Sequence, residues 1–461
     1  MLLGLGIAVV AAIGVLAILR GGRPIESSAP SPATIVALDR FGALALVDAS
    51  GHSTVLAGDA DVTYGFPAWS PDGSRLALIA EGPTDTSISI VPAHPVPAAP
   101  SAPPTLIYRS AAAPPFYLSW SPDGRKLSFL ANEPNEVSLR IAPSDGGAPV
   151  DGSGPGAIIR KGAPLYFDWI GTDRMLLHVG TGPTAFLGEV GLDGTPAAPT
   201  LASPGDFRPA VISTDSRYLA YARSKLDGPG EVVVTTRDGA TGHALTVLGA
   251  AAMVFDPRSD RVAFIAATEP GQTELAFPVG PLRVVDADSG VPRTLIDGSV
   301  VAFFWSPDGR ALAALLLKPA SGGTTAAIQL AVAGASRSRQ ERIVAAAASS
   351  SPTAAPSATL EPSATVAPSQ RPEFDVHLAF VDVATGAVRS DRVLQPGRRF
   401  VSEILPYFDQ YALSHRLWAP DGSSFLMPIV TSTGTTELVA LSPDGGEPRL
   451  TIEGEIGFWS P

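Results

Sequence analysis

A five-residue motif, Trp-Ser-Pro-Asp-Gly, recurs along the chain and constrains its fold more than any other feature of the sequence. It occupies residues 69–73, 120–124 and 305–309, and an apolar run such as LALIA follows each copy. Three near-identical copies in one chain indicate a repeat architecture rather than chance. Degenerate copies keep the same frame at 167–180, 210–223, 253–266 and 416–430, and a partial copy stands at 457–461.

Each copy has the pattern of a β-hairpin: a short strand that ends in an aromatic residue, a tight turn, and an apolar strand. Proline presets φ at the first central turn position, the aspartate can hydrogen-bond local backbone amides, and glycine supplies the positive φ for the return. We call the last residue of the first strand the anchor. The anchors are Trp69, Trp120, Trp169, Ile212, Phe255, Trp305, Trp418 and Trp459.

Consecutive anchors are roughly 40–50 residues apart, except between Trp305 and Trp418, and this is the length of one propeller blade. A third strand and a second turn follow within each unit, for example at 284–290 and 439–445, and a fourth strand follows at 293–296. Four antiparallel strands per repeat predict an all-β fold, a closed β-propeller of four-stranded blades.

The WSPDG turn followed by an apolar strand resembles the repeat of the TolB-like, or Pro-Asp-type, β-propellers, and the match spans about residues 34–461. The copies around Ile212 and Phe255 lack the tryptophan and have drifted furthest. The resemblance implies a family of scaffolds, periplasmic binding modules and the propeller domains of prolyl-oligopeptidase-type peptidases. It therefore implies the architecture more closely than the function.

In such a fold the motif residues have a structural role, because the tryptophan packs between neighbouring blades and Pro-Asp-Gly makes the turn. We therefore do not expect them to form a ligand site. The structural residues predicted in this way are Trp69, Asp72, Gly73, Trp120, Asp123, Gly124, Trp169, Trp305, Asp308, Gly309, Trp418, Asp421, Gly422 and Trp459.

Both ends of the repeat array are incomplete, which predicts that they share one blade. Residues 34–56 offer three strands without a preceding WSPDG turn, and residues 455–461 offer only an opening strand. A propeller protects its strand edges by closing, and a shared blade closes it. Eight anchors then predict eight blades, with seven as the alternative if one degenerate copy does not form a blade.

Residues 1–20 are predicted to be a transmembrane anchor. Every residue from 2 to 19 is apolar or glycine, and as a helix this run is about 27 Å long, close to the thickness of a bilayer core. No small-x-small cleavage site precedes Arg20, which favours an uncleaved anchor over a signal peptide. Residues 21–33 then predict a flexible stalk.

The orientation of this anchor is ambiguous. Arg20 and Arg23 follow the apolar run, and by the positive-inside rule they favour a propeller in the cytoplasm. A basic segment upstream of Met1 would reverse the charge balance. The sequence predicts a single-pass protein of the cell membrane with an extracytoplasmic propeller, and it leaves the cytoplasmic orientation open.

The interval between Trp305 and Trp418 is about twice a blade length but holds the signals of only one blade. Residues 344–372 are almost wholly Ala, Ser, Thr and Pro, a composition that cannot bury a core and predicts a disordered insertion within the propeller. We interpret it as a surface insertion between blade strands, with an O-glycosylated spacer or flexible arm as the functional alternative.

The segment 407–418 is polar and aromatic where other repeats carry generic linkers. A connection between blades lies near one mouth of the central channel, a usual place for ligands. The alternative is that its tyrosine and histidine pack against the adjacent blade while its aspartate caps a turn. The candidate binding residues are Asp409, Gln410, Tyr411, His415 and Arg416.

Known catalytic and metal motifs are absent from the sequence. Peptidases with such propellers keep their nucleophile in a separate G-x-S-x-G domain, and neither that motif nor H-E-x-x-H nor a Walker loop occurs. The chain has no cysteine and its six histidines are scattered, so thiolate sites are excluded and no metal motif is recognised. A net charge of −12 gives no general attraction to nucleic acid.

The sequence thus predicts a membrane-anchored, TolB-like propeller that binds or scaffolds a protein or peptide partner, or a glycan. We expect no catalysis, no cofactor and no metal. Two alternatives stay open: a hydrolase or lyase that uses loop carboxylates at the propeller mouth, and a purely structural surface protein. Nothing in the sequence indicates the oligomeric state.

Overall fold

The turn after each anchor shows why the repeat folds as a hairpin. In the first copy the Ser70 amide donates to the Arg75 carbonyl at 2.9 Å, and the Gly73 amide donates to the Ser70 carbonyl at 2.9 Å. Gly73 has a φ of 69°, a left-handed conformation that glycine adopts without a steric penalty. The Ser70 hydroxyl donates to the Asp72 carboxylate at 2.6 Å. The polar residues of the motif therefore bond to one another within the turn.

Degenerate copies build the same turn from other residues. The Ser213 amide donates to the Tyr218 carbonyl at 2.9 Å, and Ser216, with a φ of 61°, stands where the motif has glycine. In the next copy the Asp256 amide donates to the Arg261 carbonyl at 2.8 Å. The hairpin thus survives the loss of the tryptophan, the glycine or the serine.

The computed structural model describes residues 33–461 except 59–60, 94–103, 147–155, 181–184, 198–208, 226–227, 249–250, 268–277 and 320–373. Its first strands in chain order are β1 (Ile35–Leu38), β2 (Leu44–Val47), β3 (Ser53–Ala57), β4 (Thr63–Trp69), β5 (Arg75–Glu81), β6 (Thr86–Pro92), β7 (Thr105–Ser110), β8 (Pro115–Trp120), β9 (Lys126–Asn132), β10 (Val137–Pro143), β11 (Ala157–Gly162), β12 (Leu165–Ile170), β13 (Arg174–Val179) and β14 (Phe186–Gly191).

The second half of the chain continues the same pattern, with one longer strand. Its strands are β15 (Val211–Ile212), β16 (Tyr218–Lys225), β17 (Gly228–Thr236), β18 (Gly242–Val247), β19 (Ala251–Phe255), β20 (Arg261–Ala266), β21 (Gly280–Asp286), β22 (Pro292–Trp305), β23 (Ala311–Pro319), β24 (Phe374–Asp382), β25 (Val388–Val393), β26 (Phe425–Val430), β27 (Thr436–Leu441), β28 (Leu450–Glu453) and β29 (Ile456–Trp459).

The described strands form seven antiparallel sheets, most of them from strands that follow one another in the chain. The sheets β4–β7, β8–β11 and β15–β18 have four strands each. The sheets β12–β14 and β26–β28 have three, and single bridges at Val190–Pro196 and Trp418–Phe425 extend them. In the seven-stranded sheet β19–β25, the long β22 pairs with β21 and then with β23. The predicted all-β fold of four-stranded antiparallel units is confirmed.

The two ends of the described chain meet in one sheet of the order β29-β1-β2-β3. Ile35 of β1 lies opposite Trp459 of β29, and Leu38 lies opposite Ile456. The Ser460 amide donates to the Thr34 carbonyl at 2.7 Å just beyond this pairing. The sheet joins the two segments that the sequence singled out for a shared blade.

Neighbouring repeats are linked through the indole N–H of the anchor tryptophan. In four junctions the Nε1 atom donates to the carbonyl of the residue just before the preceding anchor. These bonds run from Trp120 to Ala68 at 2.9 Å, from Trp305 to Val254 at 3.0 Å, from Trp418 to Phe304 at 3.0 Å and from Trp69 to Phe458 at 3.1 Å. The last of them crosses between the two ends of the chain.

A fifth junction makes the same link through an added hydroxyl. Trp169 Nε1 donates to Ser128 Oγ at 3.2 Å, and that hydroxyl donates to the Ser119 carbonyl at 2.9 Å. Ser119 precedes the anchor Trp120, so the acceptor is the equivalent carbonyl. The Ser128 hydroxyl therefore links the indole to that carbonyl.

Arginines after the turn form a second link between repeats. Arg75 donates to the Gly124 carbonyl at 2.7 Å and lies 4.9 Å from the centre of the Trp120 ring, within cation–π range. Arg261 donates to the Gly309 carbonyl at 2.9 Å in the same way. The turns of consecutive repeats are thus bonded directly to one another.

The two ends of the sheets carry different kinds of connection. One end holds the turns after the anchors and the turns between third and fourth strands, and we call it the turn face. The other holds the connections from second to third strand, such as 39–43 and 133–136, and those between repeats; we call it the loop face. The described chain breaks off at Pro319 and resumes at Phe374 on this face, and these two residues pair directly.

The first strands of consecutive repeats contact one another, as β4 does with β8, β12 with β15, and β15 with β19. These strands therefore lie closest to the axis of the ring. Among the described residues no helix is both long and apolar enough to cross a membrane. The predicted anchor at 2–19, the stalk up to residue 32 and the insertion at 344–372 lie outside the described residues.

Candidate functional site

The connection between β25 and the bridge at Trp418 is helical and buried. Phe400–Ile404 form a π-helical turn, Leu405–Tyr407 a 3-10 turn, and Phe408–Tyr411 a short α-helix, α1. Apolar residues at 400, 401, 404, 405, 408 and 411 recur every three or four residues, which places them on one side of a helical backbone. We call residues 400–415 the plug.

Aromatic side chains of the plug pack against first strands around the ring. The ring centroids are 5.2 Å apart for Phe408 and Phe303, 5.4 Å for Tyr411 and Tyr117, 6.3 Å for Tyr411 and Phe66, and 4.6 Å for His415 and Phe458. Helix α1 also contacts β19. Since first strands lie nearest the axis, the plug occupies the centre of the ring.

A network of buried hydrogen bonds holds the plug to two of these strands. The Gln410 side-chain amide donates to the Tyr117 hydroxyl at 2.8 Å and to the Phe167 carbonyl at 2.8 Å. The Tyr117 hydroxyl donates to the Gln410 carbonyl at 3.0 Å. Burial of a polar amide without partners costs about 1–3 kcal/mol, so these bonds fix the position of Gln410.

The same network determines the tautomer of His415. The one proton of the Tyr117 hydroxyl goes to the Gln410 carbonyl, so the Ser414 hydroxyl donates to Tyr117 Oη at 3.1 Å. Ser414 Oγ then accepts from His415 Nδ1 at 2.7 Å. Nε2 of His415 is left with a lone pair and has no hydrogen-bond partner in the part of the chain that the structure describes. Burial lowers the pKa of His415 to about 3, which keeps the ring neutral.

Asp168 lies in β12 next to Phe167, and its carboxylate links two repeats. It accepts from the Trp169 amide at 2.8 Å and from the Ile212 amide at 3.4 Å. Ile212 is an anchor without an indole N–H, so the carboxylate provides the link that a tryptophan provides elsewhere. Burial raises the pKa of Asp168 to about 7, which makes it an acid that titrates near neutral pH.

Two aromatic residues that face the plug have unusual backbone conformations. Phe66 has a φ of 49° and Tyr117 a φ of 53°, and each lies where its first strand shifts register. A positive φ in a bulky residue costs of order 1–3 kcal/mol and persists only when its surroundings enforce it. Both rings pack against Tyr411. The two bulges therefore direct aromatic side chains at the plug.

The structure places the predicted binding residues inside the protein rather than at an open mouth. Asp409 is 0% exposed, Gln410 and Tyr411 are 4% exposed, and His415 is 5% exposed, whereas Arg416 is exposed. The segment is a connection between repeats, as expected, but its location at the mouth of the channel is corrected. Tyr411 and His415 pack against the rings of Tyr117 and Phe458, and this packing buries the segment. A binding role for the five residues stays a prediction.

Sequence reasoning did not identify the groups that receive the plug, above all Phe66, Tyr117 and Asp168. A signal for two of them exists, because an aromatic residue stands three positions before the anchor in the first three copies, at Phe66, Tyr117 and Tyr166. Among the described residues, no group of three or more histidines and acids is arranged to hold a metal ion. The site is thus a hydrogen-bonded centre of buried aromatic and polar residues, with Asp168 in an adjacent first strand.

No protein-family model matches the chain, and no curated protein matches it. The chain is similar to several solved structures. The dihydro-heme d1 dehydrogenase NirN, solved in complex with DHE, is 14% identical over 96% of this chain and 77% of its own, with a TM-score of 0.52. At this identity the similarity concerns the fold alone.

Two further solved structures are similar to the chain. TolB from Acinetobacter baumannii is 15% identical over 56% of this chain and 62% of its own, with a TM-score of 0.35. The β-propeller domain of the Trilobed protease from Pyrococcus furiosus is 11% identical over 85% and 98%, with a TM-score of 0.42. The chain is a β-propeller, as its repeat predicted, and the solved structures similar to it include TolB proteins.

Proposed function

We propose that the protein is a membrane-tethered, non-catalytic binding or scaffolding propeller that presents its loop face to a protein or peptide partner. The observation that carries this proposal is the difference between the two faces. Polar groups of the turn face bond within the ring, whereas the longest connection of the chain leaves and re-enters its sheet at the loop face, at Pro319 and Phe374. Loops held on a rigid scaffold are where proteins commonly carry binding residues.

Several polar side chains of the described turns at the turn face already bond within the ring. The carboxylates of Asp72, Asp123 and Asp308 each accept a bond of 2.6–2.7 Å from the serine two residues earlier. Arg75 and Arg261 donate to the turns of the next repeats. These groups stabilise the ring, which supports placing the partner on the opposite face.

The loop face offers an exposed aromatic residue. Phe41 is 73% exposed, and the guanidinium of Arg40 lies 4.7 Å from the centre of its ring. Aromatic residues and arginine are enriched in protein–protein interfaces. Since the chain also leaves and re-enters its sheet on this face, at Pro319 and Phe374, we place the partner contact there and keep a glycan as the alternative ligand.

In this proposal residues 2–19 tether the protein to a cell membrane as a single-pass anchor, with the propeller extracytoplasmic. The described chain begins at Ala33, beside Thr34 and Ser460 at the turn face. The loop face is the opposite end of the propeller.

We also propose that the propeller has eight blades. The four sheets of four strands make four blades, and the two three-stranded sheets with their added bridges make two more. The seven-stranded sheet makes two, because β22 ends one repeat and begins the next. This count agrees with the eight anchors of the sequence.

A second candidate function, acid–base catalysis by a carboxylate near the channel, rests on Asp168. Its pKa of about 7 is the value that suits a general acid or base at neutral pH. Its two oxygens, however, accept backbone hydrogen bonds that link two repeats. We therefore rank this candidate below the binding module.

Site-specific photocrosslinking in the membrane tests the proposal on the full-length protein. A photoreactive residue replaces Phe41 or Thr433 on the loop face, and Ser50 or Asp145 on the turn face serves as the matched control. All four positions are exposed. We expect both loop-face positions to crosslink one and the same partner, and the turn-face positions to give no crosslink.

Equal crosslinking from both faces, or none from Phe41 and Thr433, would contradict the proposal. Asp168→Asn separates the second candidate, because a binding module keeps its crosslinks when this carboxyl is lost. A reaction product that disappears with the Asp168→Asn variant, while crosslinking is unchanged, would support catalysis instead.

A further inference from the structure

Seven aspartate–glycine turns in the described part of the turn face close with the same hydrogen bond. The glycine amide donates to the carbonyl of the residue three positions earlier. The distance is 2.8–2.9 Å in six of the turns and 3.1 Å in the seventh, where Gly445 donates to Ser442. The aspartates of these turns are Asp72, Asp123, Asp193, Asp238, Asp308, Asp421 and Asp444. The set excludes Asp145, which adjoins residues outside the described ranges, and Asp297, which lies within β22.

In six of the seven turns a second bond holds the aspartate carboxylate. The backbone amide two positions after the aspartate donates to its Oδ1 atom at 2.9–3.1 Å. These amides belong to Ser74, Arg125, Thr195, Ala240, Arg310 and Ser423. In the three WSPDG copies the serine hydroxyl before the proline adds a further bond. The backbone that follows each of these six carboxylates therefore fixes its position.

Asp444 is the exception, although Ser-Pro-Asp-Gly at 442–445 has the same sequence as in the WSPDG copies. Its side chain is 77% exposed and lies 3.8 Å from Arg389, and its carboxylate accepts no hydrogen bond from the residues that the structure describes. A second glycine follows the first, and Gly445 and Gly446 have φ angles of 86° and 84°. Two successive left-handed residues change the direction of the chain, and the Gly446 amide does not donate to the carboxylate.

We propose that Asp444 is a site of spontaneous isoaspartate formation, because its turn does not hold the carboxylate. In this reaction the Gly445 nitrogen forms a bond to Cγ of Asp444. The proton of that nitrogen and the hydroxyl of the neutral carboxyl group leave as water, and a five-membered succinimide results. Water then adds to the main-chain carbonyl of the ring and breaks its bond to the nitrogen, so that the chain runs through Cγ. One water molecule leaves and one returns, and no other reactant is needed.

The missing bonds affect both reacting groups of Asp444 and Gly445. The carboxyl group must be neutral to lose its hydroxyl, and hydrogen bonds from amides and hydroxyls favour the anion. A carboxylate bonded to the amide two positions later must also break that bond before Cγ can reach the glycine nitrogen. Asp444 has neither restraint, and its neighbour Gly445 makes the longest closing bond of the seven.

The modification would act on a contact between repeats. The Ser390 hydroxyl donates to the Pro443 carbonyl at 2.9 Å, and the Arg392 guanidinium donates to the Gly446 carbonyl. Both donors lie in β25 of the preceding repeat. Isoaspartate lengthens the main chain by one methylene group between the two acceptors, so that both bonds cannot keep their geometry. This site lies on the turn face and does not depend on the loop-face partner proposed above.

Peptide mapping of the full-length protein in detergent tests the proposal. The folded protein is incubated at neutral pH below its unfolding midpoint, and electron-transfer fragmentation measures the isoaspartate fraction at each aspartate–glycine pair over time. We expect isoaspartate to accumulate several-fold faster at Asp444 than at Asp72, Asp123 or Asp308. In urea, where the turns are unfolded, the four pairs share the sequence Ser-Pro-Asp-Gly and should react at similar rates.

Gly446→Ser is the test variant and Gly434→Ser its matched control, since both glycines have a positive φ and no atom near the added Cβ. Serine rarely keeps such a φ, so Gly446→Ser should restore the turn of the WSPDG copies and slow the reaction at Asp444. Gly434→Ser should leave it unchanged. The comparison of the four pairs within the natural protein needs no variant, which guards against a failure to fold. Equal rates at Asp444 and Asp72 in the folded protein, the same excess at Asp444 in urea, or an unchanged rate in Gly446→Ser would overturn the proposal.

Discussion

The junctions between repeats and the plug at the centre are stabilised in different ways. Each junction uses equivalent residues, so that the bond from Trp120 to Ala68 resembles the bond from Trp305 to Val254. The plug occurs once, and its Gln410 bonds to Tyr117 and Phe167 in two other repeats. The comparison teaches that a local motif can build the ring, whereas its centre depends on contacts distant in sequence.

The largest expected effect comes from breaking the junction between the chain ends. Deletion of residues 455–461 removes β29, its pairing with β1 and the acceptor of the Trp69 indole. We expect the unfolding midpoint to fall by roughly 10 °C or more, measured by circular dichroism. Deletion of seven residues within 344–372 is the control and should change it little. Equal effects of the two deletions would show that this junction is not needed.

The plug is tested by Phe408→Ala. Phe408 is 0% exposed and packs against Phe303 and Phe304, and truncation of such a residue costs about 3–5 kcal/mol. Phe41→Ala is the matched change at an exposed position and should alter the free energy of unfolding by less than about 0.5 kcal/mol. Denaturant unfolding measures both. Similar losses in the two variants would mean that the plug contributes nothing to stability.

The indole bond itself is isolated by comparing Trp305→Phe with Trp459→Phe. Both tryptophans are buried, but Trp305 Nε1 donates to the Val254 carbonyl, whereas Trp459 Nε1 has no partner among the described residues. Loss of packing is common to both variants. We expect Trp305→Phe to lower the free energy of unfolding by about 1 kcal/mol more than Trp459→Phe does. A larger loss in Trp459→Phe would show that the indole hydrogen bond does not stabilise the junctions.

The junction at Ile212, an anchor that is not a tryptophan, is tested by the pH dependence of the free energy of unfolding, because the Asp168 carboxylate forms its link. The folded-state pKa of Asp168 is about 7, above the value of about 3.9 for an unfolded chain. Between these values the folded state binds more protons, so stability falls as pH rises towards 7. In Asp168→Asn that part of the fall disappears, and relative to the natural protein the variant gains about 3 kcal/mol between pH 4.5 and pH 7.5.

Asp123→Asn is the control for this pH dependence. Hydrogen bonds from the Ser121 hydroxyl and the Arg125 amide lower the pKa of Asp123, so its contribution is already complete above pH 5. The variant should therefore parallel the natural protein between pH 5 and pH 7.5 in denaturant unfolding. An Asp168→Asn curve that also stays parallel would show that this carboxyl is not the titrating group.

The ring could be predicted from the sequence because its information is local. Serine, aspartate and glycine of each motif bond within five residues, so the turn forms wherever these residues recur, and even Ser213 and Asp256 preserve it. The shared sheet of β1 and β29 follows from the two incomplete ends.

The plug could not be predicted because its helical turns are short and broken by Pro406. Isolated helical segments of this length are unstable in water, so packing against the ring determines their conformation. The polarity of Asp409 and His415 indicated a surface position, yet both are buried. The environment of His415 is set by Tyr117 and Phe458, which are distant in sequence and adjacent only in the folded ring.

The pairing of Pro319 with Phe374 has a consequence for how new parts can be added to this protein. Opposed residues in antiparallel strands lie about 5 Å apart, so the chain leaves and re-enters the sheet at nearly the same point. A guest domain whose own termini are adjacent can be grafted there without separating the two host strands. This hairpin is therefore a suitable site for inserting a domain, either by protein engineering or by natural gene rearrangement.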